Sequence, residues 1–214
     1  MMTNIEYSTE LACALNGYRA LIIPDINNSD ENHWQSIWGH NIPRSRRILM
    51  HDWNTTDWVK WRNSIIASLI NIDEPVVIIA EGFGALAAAS VIAEYPEKII
   101  AAFLVDPSDP DEFDLRKKIP KQHLSAPTKI VIRNQTHKRA ALLAALWSTD
   151  LSTAPALAPT IFWPEGIELL QRLISKTQRT VDAMTQARTK KVLAYLRSLK
   201  KVKPAVNNMD FRYS

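Results

Sequence analysis

The stretch Val76-Val77-Ile78-Ile79-Ala80-Glu81-Gly82-Phe83-Gly84-Ala85-Leu86-Ala87-Ala88 decides the fold of this 214-residue chain. Its first five residues are an unbroken apolar run rich in β-branched side chains. A strand with one face in water would alternate, so this pattern predicts a strand covered on both faces. Glycines at 82 and 84 end the run with a tight turn. The alanine-rich segment at 84–94 then carries the small side chains of a buried helix. Strand, turn and helix in that order form half of a βαβ unit and imply a parallel sheet.

Working outward, four further runs of the same kind occur at 20–24, 47–50, 99–105 and 129–133. Between them lie segments with helical spacing. Trp58, Trp61, Ile65 and Leu69 share one face behind Asp57, a suitable N-cap, and a second alanine-rich stretch covers 138–147. Strand and helix alternate, so the expected architecture is α/β, with helices on both faces of a mostly parallel sheet of five to six strands. The sixth strand would lie within 150–159, where Ser, Thr and Pro weaken the pattern. After Pro164 the spacing turns helical, with Ile167, Leu170 and Ile174 on one side. Residues 177–201 continue as an amphipathic basic helix that Pro204 ends.

The chain carries 26 Lys and Arg against 22 Asp and Glu, a net of +4. Residues 175–214 alone hold ten basic and two acidic residues, so they contribute +8 and leave residues 1–174 at −4. The expected organisation is therefore an acidic α/β domain over 1–174 and a basic helical extension over 175–214. Hydrophobic residues make up 46% of the chain, enough to close a core and to exclude a disordered or fibrous protein. Cys13 is the single cysteine, which excludes an intrachain disulfide and fits a reducing cytoplasm. It is expected on the apolar side of a short N-terminal helix. No charged leader followed by an apolar run and no long apolar span is present, so neither secretion nor membrane insertion is expected.

Two chemistries use a strand, tight turn and helix. One is the nucleophile elbow, G-x-S-x-G, which lifts a serine beneath a helix N-terminus that stabilises an oxyanion. Gly82 stands in the serine's place here. The other is the dinucleotide fingerprint, read as Gly82, Gly84 and Ala87 with Asp106 toward the ribose, although that fingerprint ordinarily follows the first strand of its domain.

Several further motifs, in a fixed order, bear on the choice. Ile23-Pro24, Asn28-Ser29 and His33-Trp34-Gln35-Ser36-Ile37-Trp38 are followed by Asp52-Trp53, Asp57 with Trp61, and Trp163-Pro164-Glu165-Gly166. Over about residues 19–173 the chain resembles the small α/β-hydrolases of the retinoblastoma-binding-protein-nine and YdeN type. The resemblance implies an α/β-hydrolase-like three-layer sandwich and, in the family, a Ser-Asp-His triad. This sequence departs from the triad at each position. The elbow reads Glu81-Gly82-Phe83-Gly84 where the family has His-Ser-Leu-Gly. Asn134 stands near the place of the acid, and Thr153 near that of the histidine. Without nucleophile and base no acyl-enzyme forms.

The expected function is that of a non-catalytic relative acting as a binding or scaffold module, with no cofactor and no resident metal. Parallel sheets bind ligands beyond the carboxyl ends of their strands, so the pocket candidates are Asp25, Asn28, His33, Trp34, His51, Glu81, Gly82 and Asp106. An active alternative makes Glu81 or Asp106 a general base or cation ligand in hydrolysis of small esters. Nucleotide binding through Gly82 and Gly84 is a second alternative. The bland reading is that strand-end carboxylates cap helices or face water, that His33 is structural, and that Trp34, Trp38, Trp58 and Trp61 are core anchors. For the basic helix, the candidates Lys190, Lys191, Tyr195, Leu196 and Leu199 point to a protein partner or self-association. No nucleic-acid motif accompanies the charges, and no Trp or Phe before Phe211 marks a membrane anchor.

Overall fold

The computed structural model describes residues 4–133, 138–154 and 162–201. Helix α1 (Asn4–Ala14) leads into β1 (Arg19–Ile23), α2 (Trp34–Asn41), β2 (Ser45–Arg47), α3 (Trp58–Ile70), β3 (Val76–Glu81) and α4 (Gly82–Glu94). Then follow β4 (Ile99–Val105), a short 3-10 turn at Pro110–Phe113, β5 (Thr128–Ile132), α5 (Lys138–Trp147), β6 (Asp150–Thr153) and α6 (Pro164–Lys201). The six strands form one sheet in the order β2-β1-β3-β4-β5-β6, and every pairing is parallel.

The two faces of the sheet explain why its strands lack alternation. All six residues of β3 are buried. Val76, Ile78 and Ala80 pack with Trp61, Ile65 and Leu69 of α3, with α4 and with Leu143 and Trp147 of α5. Val77 and Ile79 pack on the other side with Leu11 of α1, Trp34 and Trp38 of α2 and Ile167, Leu170 and Ile174 of α6. Fully burying one such side chain contributes about 1.5–3 kcal/mol, so the central strand anchors both layers. Asp57 caps α3 as expected, with Oδ1 accepting from the Val59 and Lys60 N–H groups.

Three expectations are corrected. The second strand is Ser45–Arg47 rather than 47–50: Ile48 still donates its N–H to the Ile22 carbonyl and is buried, but Leu49 is 86% exposed and the ladder has ended. Cys13 lies on α1 as expected but faces solvent, because Leu11 and Leu15 take the buried side. The helix after the turn begins at Gly82, two residues earlier than the alanine run suggests, and β3 runs through Glu81. The weak sixth strand is present as a four-residue edge strand.

By compactness the chain divides into residues 1–177 and 178–214. In the second unit, every side chain from 178 to 194 is exposed. Lys190 and Lys191 are among them, whereas the side chains of Tyr195, Leu196 and Leu199 lie outside the described set. Among the described residues, no helix is long and apolar enough to cross a membrane.

Candidate active site

The turn between β3 and α4 keeps the backbone of an elbow. Glu81 is extended (φ −133°, ψ 150°), and Gly82 enters the left-handed region at φ +55° before the helix starts. That conformation is costly for a residue with a Cβ and nearly free for glycine. The space above Gly82 is also taken. A Cβ built there would lie 2.0–2.2 Å from the carboxyl atoms of Asp25. Asp25 Oδ1 accepts hydrogen bonds from the N–H of Phe83 (2.7 Å) and of Ile26 (2.8 Å). The loop after β1 can come so close because Gly84 has no side chain; a Cβ there would stand 2.1 Å from the Pro24 carbonyl oxygen. Asp25 thus caps α4 from another element, and its negative charge is favourable at a helix N-terminus.

One residue further back, Glu81 points into a closed charge network. Its side chain is only 6% exposed. Oε2 accepts from the indole N–H of Trp34 (3.1 Å) and faces His33 Nε2 at 3.3 Å, while Oε1 pairs with Arg133 Nη2. Arg133 also donates Nε–H to Asp106 Oδ2 (2.6 Å) and its backbone N–H to Asp106 Oδ1 (2.9 Å). The guanidinium of Arg133 therefore bridges the ends of β3 and β4, and it lies 6.0 Å from the Trp163 ring centroid. Trp163 packs edge-on against Trp34, with ring centroids 4.9 Å apart, and is itself buried.

Burial and the neighbouring Asp25 and Asp106 charges push Glu81 up to about 7, although Arg133 pulls the other way. His33 is pushed down to about 4, first by burial and then by the charge of Arg133. It is neutral at ordinary pH. His33 is the N-cap of α2, with Nδ1 accepting from the Gln35 N–H at 3.4 Å, which leaves the proton on Nε2, facing Glu81.

The structure brings together six of the eight pocket candidates: Asp25, His33, Trp34, Glu81, Gly82 and Asp106. Asn28 instead accepts from Arg47 Nη1 at 2.7 Å. His51 sits in the exposed segment after β2 and lines a separate cleft with Asn63 and Ser64. Thr153 is the last residue of β6, and Asn134 lies outside the described residues. Among the described residues, no group of three or more His, Cys, Asp or Glu is placed to hold a metal ion. Glu81 and Asp106 are already held by Arg133. The residue that sequence reasoning missed is Arg133. Its signal was available: a cation immediately after a buried strand whose two sheet neighbours toward the centre end in carboxylates.

No protein of curated function matches the chain in sequence. Among solved structures it is similar to a YdeN-like hydrolase of Pectobacterium atrosepticum. The two share 27% identity over 80% of this chain and 98% of that one, with a TM-score of 0.73. At 12% identity, Est1E of Butyrivibrio proteoclasticus, solved with ferulic acid bound, aligns over 77% of this chain and 89% of its own with a TM-score of 0.51. A hydrolase of the α/β superfamily from Xanthomonas campestris aligns at 14% identity over 77% and 98%, with a TM-score of 0.50. These last two share the fold alone. A serine hydrolase family model matches residues 20–159. That span takes in β1, the Asp25 loop, the elbow, the ends of β3, β4 and β5, and well over half of the chain, which therefore belongs to the serine hydrolase family.

Proposed function

We propose that this protein is a non-hydrolytic member of its family, in which the α/β fold serves as a binding or scaffold module. The observation that carries this reading is the carboxylate of Asp25 standing where a side chain on residue 82 would have to be. An elbow in that state offers no nucleophile, and room for one opens only where Asp25 swings away. The network around Glu81 supports the same reading, since Arg133, Trp34 and His33 crowd both of its oxygens. A carboxylate that serves as general base needs a free lone pair within reach of water. The near-neutral value of Glu81 is the one feature that favours the hydrolytic alternative. Nucleotide binding at the same turn is disfavoured by the charge of Asp25, which lies where a pyrophosphate would approach α4.

The test is reaction of the full-length protein with a fluorophosphonate probe, followed by intact mass, together with turnover of p-nitrophenyl acetate. The reading expects no stoichiometric adduct and no turnover above background. One adduct per chain on any serine overturns it, and turnover lost in Glu81→Gln establishes the alternative.

We further propose that the basic helix beyond residue 177 is the surface through which the protein meets a protein partner or a second copy. Its support is the exposure of Val181, Met184, Val192 and Leu193 beside Lys190 and Lys191.

A further inference from the structure

The N–H groups of Phe83 and Ile26 converge on one oxygen from two separate elements, the first turn of α4 and the loop after β1. Two backbone donors aimed at a single point are what acyl-transfer enzymes use to hold a developing oxyanion. In this chain the point is filled by an anion that the chain itself supplies. We propose that Asp25 is a built-in oxyanion: its carboxylate closes this donor pair from within and excludes any free carboxylate from it.

Three features support the assignment. The bonds are short, 2.7 and 2.8 Å, as expected for an ionised acceptor. Both donors fall on the same oxygen, Oδ1, although Asp25 has two, as they would for a single oxyanion oxygen. The two donor-bearing segments also approach each other closely away from Asp25, since a Cβ on Gly84 would stand 2.1 Å from the Pro24 carbonyl oxygen. Asp25 is itself only half-buried, which leaves a path for a small anion once the side chain is removed.

The inference rests on where Asp25 lies and shares that observation with the non-hydrolytic reading, but the two fail separately. A fluorophosphonate adduct would overturn the latter and say nothing of anion binding.

The experiment is rescue by formate, a carboxylate without a chain. Full-length wild type, Asp25→Gly and Asp25→Asn are melted in matched concentrations of sodium formate and sodium chloride, and the amide resonances of Phe83 and Ile26 are followed by NMR. Asp25→Gly is expected to melt below wild type. Formate, but not chloride, should raise its melting temperature saturably and shift those two amides. Wild type and Asp25→Asn, whose own oxygen still fills the pair, should show no formate-specific change. A folded Asp25→Gly that ignores formate overturns the proposal, as does a wild type that responds equally. Should Asp25→Gly fail to fold, hydrogen exchange in Asp25→Asn decides. Faster exchange at both amides than in wild type supports a charged acceptor there, and unchanged exchange at both overturns it.

Discussion

Placing a serine at residue 82 of the elbow should cost stability, and the cost should depend on residue 25. In Gly82→Ser, the left-handed φ of +55° charges a side chain about 1–2 kcal/mol. Its Cβ would also stand 2.0 Å from the Asp25 carboxyl carbon, so that side chain must swing away. It is the far end of a side chain and able to move, which limits the penalty to the two charge-assisted hydrogen bonds that it abandons. These contribute about 1.5–3 kcal/mol each, discounted because Asp25 is only partly buried and can rehydrate. Together the terms give about 3–5 kcal/mol, or a melting temperature lower by roughly 6–20 °C for a protein of this size. In an Asp25→Gly background the obstruction is gone and only the backbone strain remains, about 1–2 kcal/mol. Urea denaturation of wild type, both single variants and the double variant measures the coupling directly, and a coupling of about 2 kcal/mol is expected. Gly82→Ser within about 0.5 kcal/mol of wild type, or single-variant effects that simply add, would refute the claim that Asp25 occupies the side-chain space of residue 82.

The remaining predictions concern the network and the tail. Arg133→Met removes the only described cation joining Glu81 to Asp106 and should cost about 3–5 kcal/mol by urea denaturation, part of it recovered by adding Glu81→Gln; an effect under about 1 kcal/mol would sink the bridging role. With Glu81 near 7 when folded against 4.5 ordinarily, the native state holds a proton that the unfolded chain has released across that window, so this group's contribution falls by about 3 kcal/mol as pH rises through it. His33, at about 4 against 6.5, acts in the opposite sense and its contribution rises from pH 4 to 6.5. Glu81→Gln should therefore gain on wild type between pH 4.5 and about pH 8, and a pH-independent difference between the two would contradict the raised value. Charge reversal of Lys190 and Lys191 to Glu should leave the melting temperature unchanged while abolishing association, checked by sedimentation and by recovery of the partner that the wild type binds; association that survives would place the contact elsewhere.

The fold was legible wherever burial and ladder coincide. β3 and β4 are covered on both faces, so their apolar runs report the strands almost residue for residue. The apolar run at 47–50 places β2 too late because Ile48 is buried without belonging to the ladder, and hydrophobicity reports the first property and not the second. The edge strand β6 pairs on one side only and carries Ser and Thr, which weakened its pattern. At the site, residue types at strand ends nominated Asp25, Glu81 and Asp106. Their partners were hidden because Phe83 and Asp25 are 58 residues apart, and Arg133 and Glu81 are 52 apart. No local period encodes such pairs. They follow only from the sheet order, which sets β1 beside β3, β3 beside β4 and β4 beside β5.

That order also explains the charges. Three carboxylates, Asp25, Glu81 and Asp106, end adjacent strands, and one described guanidinium, Arg133, stands among them. His33 cannot supply a second cation, since burial and Arg133 itself keep it neutral. Glu81, the most buried of the three, is pushed up first by that burial and then by the Asp25 and Asp106 charges, against the pull of Arg133. Asp25 accepts from two N–H groups and Asp106 takes two donors from Arg133. The same geometry ties residues 25 and 82 together. A carboxylate at 25 in this position and a side chain at 82 claim one volume, so a side chain at 82 requires that of residue 25 to move or to be removed. The glycine at 82 and the carboxylate at 25 are in this sense one arrangement, and a serine placed at 82 would need residue 25 to move before any base could matter.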